Sequence, residues 1–157
     1  MKDFFKKIKL FVYDFDGVMT DNRFLLNSSG EEQVYLNRSD GLAIKMISSL
    51  GINQLILSSE NSEIIKVRAE KLKIDCLYGV QEKEKVIKKI LTKFDVKEDE
   101  VGYIGNDLND LKAMKSIGLK MCPIDAEKRI VDSCDIIFQR KGGHGVIREL
   151  YSMITGD

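Results

Sequence analysis

The chain contains one histidine, His144, among 157 residues, and that scarcity removes much of the chemistry otherwise open to an enzyme. A multi-histidine metal centre cannot be assembled, and a Ser/His/Asp triad would have to be built around this single ring. Cysteine is nearly as scarce: Cys76, Cys122 and Cys134 are odd in number, widely spaced and set among apolar residues. That pattern suits reduced core thiols better than a disulfide framework or a zinc cluster. Neither sign of charge is in excess, with 25 basic and 25 acidic residues, so no global field draws the chain to nucleic acid or to an anionic membrane. Long apolar runs are missing too, since none approaches the ~20 residues that span a bilayer. The N-terminal MKDFFKKIKLFVYDFD has basic residues, but acids interrupt its apolar run and no small-residue cleavage site follows, unlike a signal peptide. The expectation is a cytoplasmic protein, without nucleic-acid or membrane partners, whose chemistry rests on carboxylates, lysines and hydroxyls.

What is present has a clear rhythm. Short β-rich apolar runs alternate with longer amphipathic stretches, the pattern of repeated βα units. The predicted strands are Ile8 to Tyr13, Asn53 to Leu57, Asp75 to Tyr78, Val101 to Ile104, Leu119 to Cys122 and Asp135 to Phe138. Helical spacing covers Gly41 to Leu50, Ser62 to Leu72, Lys83 to Phe94, Leu108 to Ser116 and about Gly145 to Ile154, with Gly51 and Gly118 placed as helix stops. One stretch breaks the alternation: Arg23 to Leu36, where RFLL and EQVYL flank the turn-forming NSSG, reads as a β-hairpin inserted after the first strand. No linker or repeat divides the chain. The fold class is therefore α/β, a Rossmann-like doubly wound parallel sheet forming one domain over 1–157, with a hairpin insert at about 23–36.

In such a sheet ligands bind beyond the carboxyl ends of the strands, and the residues there are unusual. Asp14-Phe15-Asp16-Gly17 follows the first run, Ser58 and Ser59 follow the second, Lys83 starts a helix after the third, and Gly105-Asn106-Asp107-Leu108-Asn109-Asp110 follows the fourth. These groups suit phosphoryl transfer. A phosphate ester repels a carboxylate nucleophile, so Asp14 can attack only where cations and donors neutralise the phosphoryl oxygens. Lys83 and Mg2+ are the available cations, and the two acidic loops offer the oxygen ligands that magnesium prefers. Ser58 and main-chain N–H groups would hold the phosphoryl oxygens. Asp16 would protonate the leaving alkoxide and then activate water against the aspartyl-phosphate, and Gly17 would let the backbone pass close to the phosphate.

Each element alone has a plainer explanation. D-x-D-G serves as a turn, Ser58 as a helix N-cap, Lys83 as a solvated charge and GNDLND as a capping loop. Their order after successive strands favours the catalytic reading. A receiver-type signalling module would also place Asp, Ser/Thr and Lys around magnesium, but its phosphorylated Asp follows a middle strand, where this chain has Ser58-Ser59-Glu60.

With these residues in place, the chain resembles the haloacid dehalogenase superfamily of phosphatases. Within it the chain looks like the small capless branch acting on 2-keto-3-deoxy sugar acids. DFDGVMTD, NRSDGLAIKM, RAEKLKI, GVQEK, YIGNDLND and RKGGHGVIREL occur in the branch's order, from about Phe11 to Leu150. The resemblance implies that Asp14 is nucleophile and metal ligand, that Asp16 is the acid/base with its main-chain carbonyl on the metal, and that Ser58 and Lys83 bind phosphate. Asn106 stands where the branch usually has Asp; it would join the metal, with Asp107 and Asp110 as further candidates. Asn37, Arg38, Ser39, Asp40 and Gly41, together with Lys45, Arg68 and Asp107, would face the substrate. A homotetramer is implied as well, its hairpins gathered centrally and neighbouring subunits covering each site, with the Gly142-Gly143-His144-Gly145 turn directing the C-terminal segment towards an adjacent site. Glu60 and Lys71 match residues of the relatives acting on nine-carbon acids and, eleven residues apart, would fall near one helix face as a polar strip with Arg68, so a nonulosonate 9-phosphate is the favoured substrate. The alternatives are 3-deoxy-manno-octulosonate (KDO) 8-phosphate, and a weakly catalytic homologue with an assembly or regulatory role.

Overall fold

The computed structural model describes residues 3–156. Its elements run β1 (Leu10–Tyr13), β2 (Leu25–Leu26), β3 (Glu32–Gln33), α1 (Arg38–Ser49), β4 (Asn53–Leu57), α2 (Glu63–Leu72) and β5 (Asp75–Leu77), followed by α3 (Ile87–Phe94), β6 (Val101–Ile104), α4 (Leu108–Met114), β7 (Leu119–Cys122), α5 (Lys128–Val131), β8 (Ile136–Ile137) and α6 (Val146–Thr155). Six strands form one sheet in the order β5-β4-β1-β6-β7-β8, and every pairing is parallel. β1 lies inside the sheet because all four of its residues are apolar or aromatic and wholly buried, as a strand covered on both faces requires. Phe11 and Tyr13 point into the layer formed with α1, α2 and α6, while Leu10 and Val12 point into the layer with α3, α4 and α5. Each such side chain contributes about 1.5–3 kcal/mol through burial. Consecutive residues of one short strand thus hold two helical layers together.

Three predicted strands have the expected bounds, and the others are shorter at their ends. α1 begins three residues before the expected Gly41, because the Asn37 side chain accepts from Ser39 N and caps the helix earlier. The Lys83 stretch opens with a 3-10 turn at Lys83–Lys85 before α3 starts. Gly51 does sit just past a helix with positive φ. Gly118 has a different reason: a Cβ there would meet Asp99 Cα at 2.5 Å, so close packing selects glycine. The hairpin is only a two-residue ladder, Leu25↔Gln33 and Leu26↔Glu32. Val34 and Leu36 pack on the main core, but Phe24, Leu25, Leu26 and Tyr35 are exposed, Tyr35 at 87%. All three cysteines are free. Among the described residues no helix is long and apolar enough to cross a membrane.

Candidate active site

β1 and β6 end side by side at the point where the chain turns from one half of the sheet to the other. There Asp14 N donates to Ile104 O at 2.9 Å, prolonging the ladder by one residue and fixing Asp14 at the edge. Lys83 reaches it from the turn after β5. Its Nζ lies 2.8 Å from Asp14 Oδ1 and 2.7 Å from Asp110 Oδ1, with no side-chain exposure. A solvated lysine is therefore excluded. Asp110 is saturated: Oδ1 also accepts from Tyr103 OH at 2.8 Å, and Oδ2 accepts from the N–H groups of Asn106 and Asp107. It orients Lys83 and the Asn106 loop, leaving no free oxygen for a metal. Asp107 is the exposed N-cap of α4, and its carboxylate is turned to Leu108 N.

The charges in this cluster do not cancel, since one ammonium faces two buried carboxylates. Burial, then the Asp110 carboxylate, push the Asp14 pKa well above the ordinary range against the pull of Lys83. Burial alone would lower the Lys83 pKa, but Asp14 and Asp110 outweigh it and raise the value. A second cation would settle the balance, and the place for one is evident. One terminal atom of the Asn106 amide lies 3.1 Å from Asp14 Oδ2 and 2.8 Å from the Asp16 carbonyl oxygen. With nitrogen there, the amide donates to both; with oxygen there, three oxygens meet at about the edge length of an octahedron with 2.0–2.1 Å magnesium bonds. Among the described residues no three His, Cys, Asp or Glu side chains form a metal cluster. The donor set is instead a carboxylate, a main-chain carbonyl and an amide, all hard oxygens that fit magnesium. Gly17, at φ +82°, allows the approach, because a Cβ would lie 2.0 Å from the Asn106 amide nitrogen position.

The cleft over these groups has a volume of about 330 Å³ and is lined by Asp14, Asp16, Ser58, Glu60, Asn106 and Asp107, among others. Ser58 is buried and accepts from Glu60 N at 3.2 Å. The N-cap of α2 is Ser62 instead. Asp16 is half-buried, and Thr20 Oγ1 donates to its Oδ1 at 3.4 Å. Burial, then the nearby Glu60 carboxylate, raise the Asp16 pKa, the direction that suits a proton donor. Asn109 Nδ2 donates to Ser59 Oγ at 2.9 Å, tying the first turn of α4 to the loop after β4.

A model of the haloacid dehalogenase-like hydrolases matches residues 47–150, two thirds of the chain. The chain belongs to this family. The 3-deoxy-D-manno-octulosonate 8-phosphate phosphatase of Yersinia pestis is 30% identical over 148 residues, covering 94% of this chain and 79% of the relative. A haloacid dehalogenase family hydrolase from Streptomyces avermitilis superposes with a TM-score of 0.91 at 35% identity, covering 94% of this chain and 90% of that one. The 3-deoxy-D-manno-octulosonate 8-phosphate phosphatase of Moraxella catarrhalis, solved with magnesium, phosphate and KDO, gives 0.92 at 29% identity, covering 99% and 92%. This likeness places the chain in the capless branch of the haloacid dehalogenase-like fold.

The remaining predicted residues lie elsewhere. Arg38, Gly41, Lys45, Arg68 and Lys71 line a separate groove between α1 and α2, so within one chain they do not reach Asp14. Glu60 precedes α2 and lines the catalytic cleft, whereas Lys71 lies in the last turn of α2; the polar strip expected to join them does not form. Asp40 is 2% exposed and accepts from Arg148 N at 2.8 Å, tying α1 to the start of α6, so it cannot face a substrate. Asn37 and Ser39 form the N-terminal cap of α1. Sequence reasoning missed Thr20 and Tyr103. A tyrosine in an otherwise apolar buried strand needs a partner for its hydroxyl, and that was the available signal for Tyr103.

Proposed function

We propose that this chain is a magnesium-dependent phosphatase of a phosphorylated 2-keto-3-deoxy sugar acid, and that its substrate is the eight-carbon ester KDO 8-phosphate. As a haloacid dehalogenase-like enzyme it is a phosphoric monoester hydrolase. The observation that carries the reading is the meeting of Asp14 Oδ2, the Asp16 carbonyl and the Asn106 amide beside the Lys83–Asp14 contact. That arrangement provides a nucleophile, a magnesium site and a fixed cation at one point. The functions of the relatives from Yersinia pestis and Moraxella catarrhalis favour the eight-carbon ester. The nine-carbon preference loses its main support because Glu60 and Lys71 stand at different clefts.

Asp14, Asp16 and Asn106 would hold magnesium, which supplies positive charge opposite the phosphoryl oxygens. Asp14 attacks phosphorus while Ser58 and main-chain N–H groups of its loop hold the oxygens, and the enclosed Lys83 supplies positive charge beside Asp14. Asp16, whose pKa is raised by burial and then by the Glu60 carboxylate, gives its proton to the leaving alkoxide. It then takes a proton from the water that opens the aspartyl-phosphate. Asn106 contributes an oxygen without charge, so Asp14 is the metal's only carboxylate partner in this set.

Recognition of the sugar carboxylate falls to Arg38, Lys45, Arg68 and Lys71 of a neighbouring copy in a homotetramer, because their own groove is apart from their own cleft. The exposed Phe24, Leu25, Leu26 and Tyr35 of the hairpin support such an assembly. The test is a parallel assay of KDO 8-phosphate, two nine-carbon 9-phosphates and a hexose phosphate, with magnesium and after chelation, alongside sedimentation of the enzyme. The expected result is a highest kcat/KM on the eight-carbon ester, no turnover after chelation, and a mass of four chains. A tenfold preference for a nine-carbon ester would reverse the substrate choice, and a preference for the hexose phosphate would remove the sugar acid.

A further inference from the structure

The segments NRSDG and KGGHG, far apart in sequence, meet on the back of the Asp16 loop. Gly143 N donates to Val18 O at 2.9 Å, inside that loop. The approach is as close as backbones allow: a Cβ on Gly142 would lie 2.1 Å from Gly17 O, and one on Gly143 would lie 2.6 Å from Asp21 N and from Thr20 C. Gly143 also has φ +71°, which an L side chain seldom adopts. The glycine turn is itself held from three sides. Asn37 Nδ2 donates to Gly143 O at 3.3 Å, Gly142 N donates to Asp125 Oδ1 at 3.0 Å, and buried Asp40 anchors the start of α6 through Arg148 N. Beneath the turn, Thr20 links back to the acid/base group: its Oγ1 accepts from Gly17 N at 3.3 Å and donates to Asp16 Oδ1 at 3.4 Å.

We propose that the Gly142-Gly143 turn, braced by Asn37 and Asp40, is a clamp that sets the position of the Asp16 carboxyl, making Asn37, Asp40, Gly142 and Gly143 positioning residues for proton transfer. It does this within its own chain. The clamp presses on Gly17, Val18, Thr20 and Asp21, whereas Asp14 is fixed separately by Ile104 O and Lys83. Loosening it therefore displaces the Asp16 carboxyl and leaves the nucleophile in place; because the Asp16 carbonyl also faces the Asn106 amide, the comparison is made at saturating magnesium. General acid help matters greatly for a poor leaving group and little for a good one, so the two roles separate by leaving group.

The inference rests on the phosphatase reading, and the experiment distinguishes the two. Gly142→Ala adds the clashing Cβ. Asn37→Asp keeps an α1 cap acceptor but removes the donor to Gly143, and serves if the alanine variant does not fold. The first-turnover burst of alcohol release is measured at saturating ester for the alkyl phosphate KDO 8-phosphate and for p-nitrophenyl phosphate, across pH. The variants should lose roughly tenfold to a hundredfold on the alkyl ester, under about threefold on the aryl ester, with an altered pH profile for the alkyl ester only. Equal losses on both esters, or no loss in folded variants of an active wild type, would overturn the clamp alone. A wild type that turns over neither ester would overturn the phosphatase reading and the clamp with it.

Discussion

At the carboxyl edge of the sheet Lys83 has no exposure and divides its hydrogen bonds between two carboxylates, one of them also held by a tyrosine and two main-chain N–H groups. In the groove between α1 and α2, Arg38, Lys45 and Lys71 are exposed, and Arg68 is half-buried with a hydrogen bond to Asn37 O. Under the proposed function the difference reflects two demands. Groups that react must be held in place before the substrate arrives, because rearranging them during the reaction would add to the barrier. Groups that only recognise a charged ligand can wait in water, where long side chains lose little by adjusting.

The sharpest way to break the comparison is to remove the reacting charge. Asp14→Asn should lower phosphate release by about 10³-fold or more, measured by rapid mixing. Its melting temperature should hold or rise, because burial and Asp110 both work against an ionised Asp14. Next comes the central cation. Lys83→Met leaves two carboxylates buried together and should cost about 3–5 kcal/mol in denaturant melts, whereas Lys45→Met and Lys71→Met should stay within about 0.5 kcal/mol. Equal costs at all three positions would erase the distinction between the regions.

Smaller effects sharpen it. Tyr103→Phe removes one donor to Asp110 and should cost about 1–3 kcal/mol, accompanied by a drop in kcat as Lys83 and the Asn106 loop loosen; calorimetry and steady-state kinetics test both. Glu60→Gln is the mildest. The Glu60 carboxylate helps raise the Asp16 pKa, so neutralising it lowers that pKa and ionises the proton donor earlier. The alkaline limb of the pH profile for an alkyl phosphate should move to lower pH. A limb that stays put, or moves the other way, would show that Asp16 does not sense Glu60.

The two regions also differ in how far the sequence made them legible. Asp14, Ser58 and Asn106 follow strands whose apolar runs were plain, and a parallel sheet necessarily delivers such residues to one edge. Lys83 could be placed there by order, but its complete burial could not be read from KEKVIKK, a run that looks solvated. Asp40 is expected at the substrate only through the resemblance of Asn37 to Gly41 to a segment of the family; its partner, Arg148 N, lies 108 positions away. The same holds for Glu60 and Lys71, whose spacing suits a shared helix face until Ser62 caps α2 after Glu60. Local pattern reveals period and edge, whereas long-range packing decides which polar residues are enclosed.

The place of β1 in the sheet bears on how the chain is made. Leu10 pairs with Asn53 on one side and with Val101 on the other, so the first strand of this sheet in chain order is flanked by two that are made much later. Synthesis at about 5–20 residues per second leaves this wholly buried strand without its second neighbour for several seconds. During that interval the nascent chain carries Asp14 on an unpaired edge suited to chaperones or to aggregation. A ribosome-bound chain halted before β6 should therefore remain protease-sensitive throughout the segment around Asp14, and one released beyond it should close in a single step.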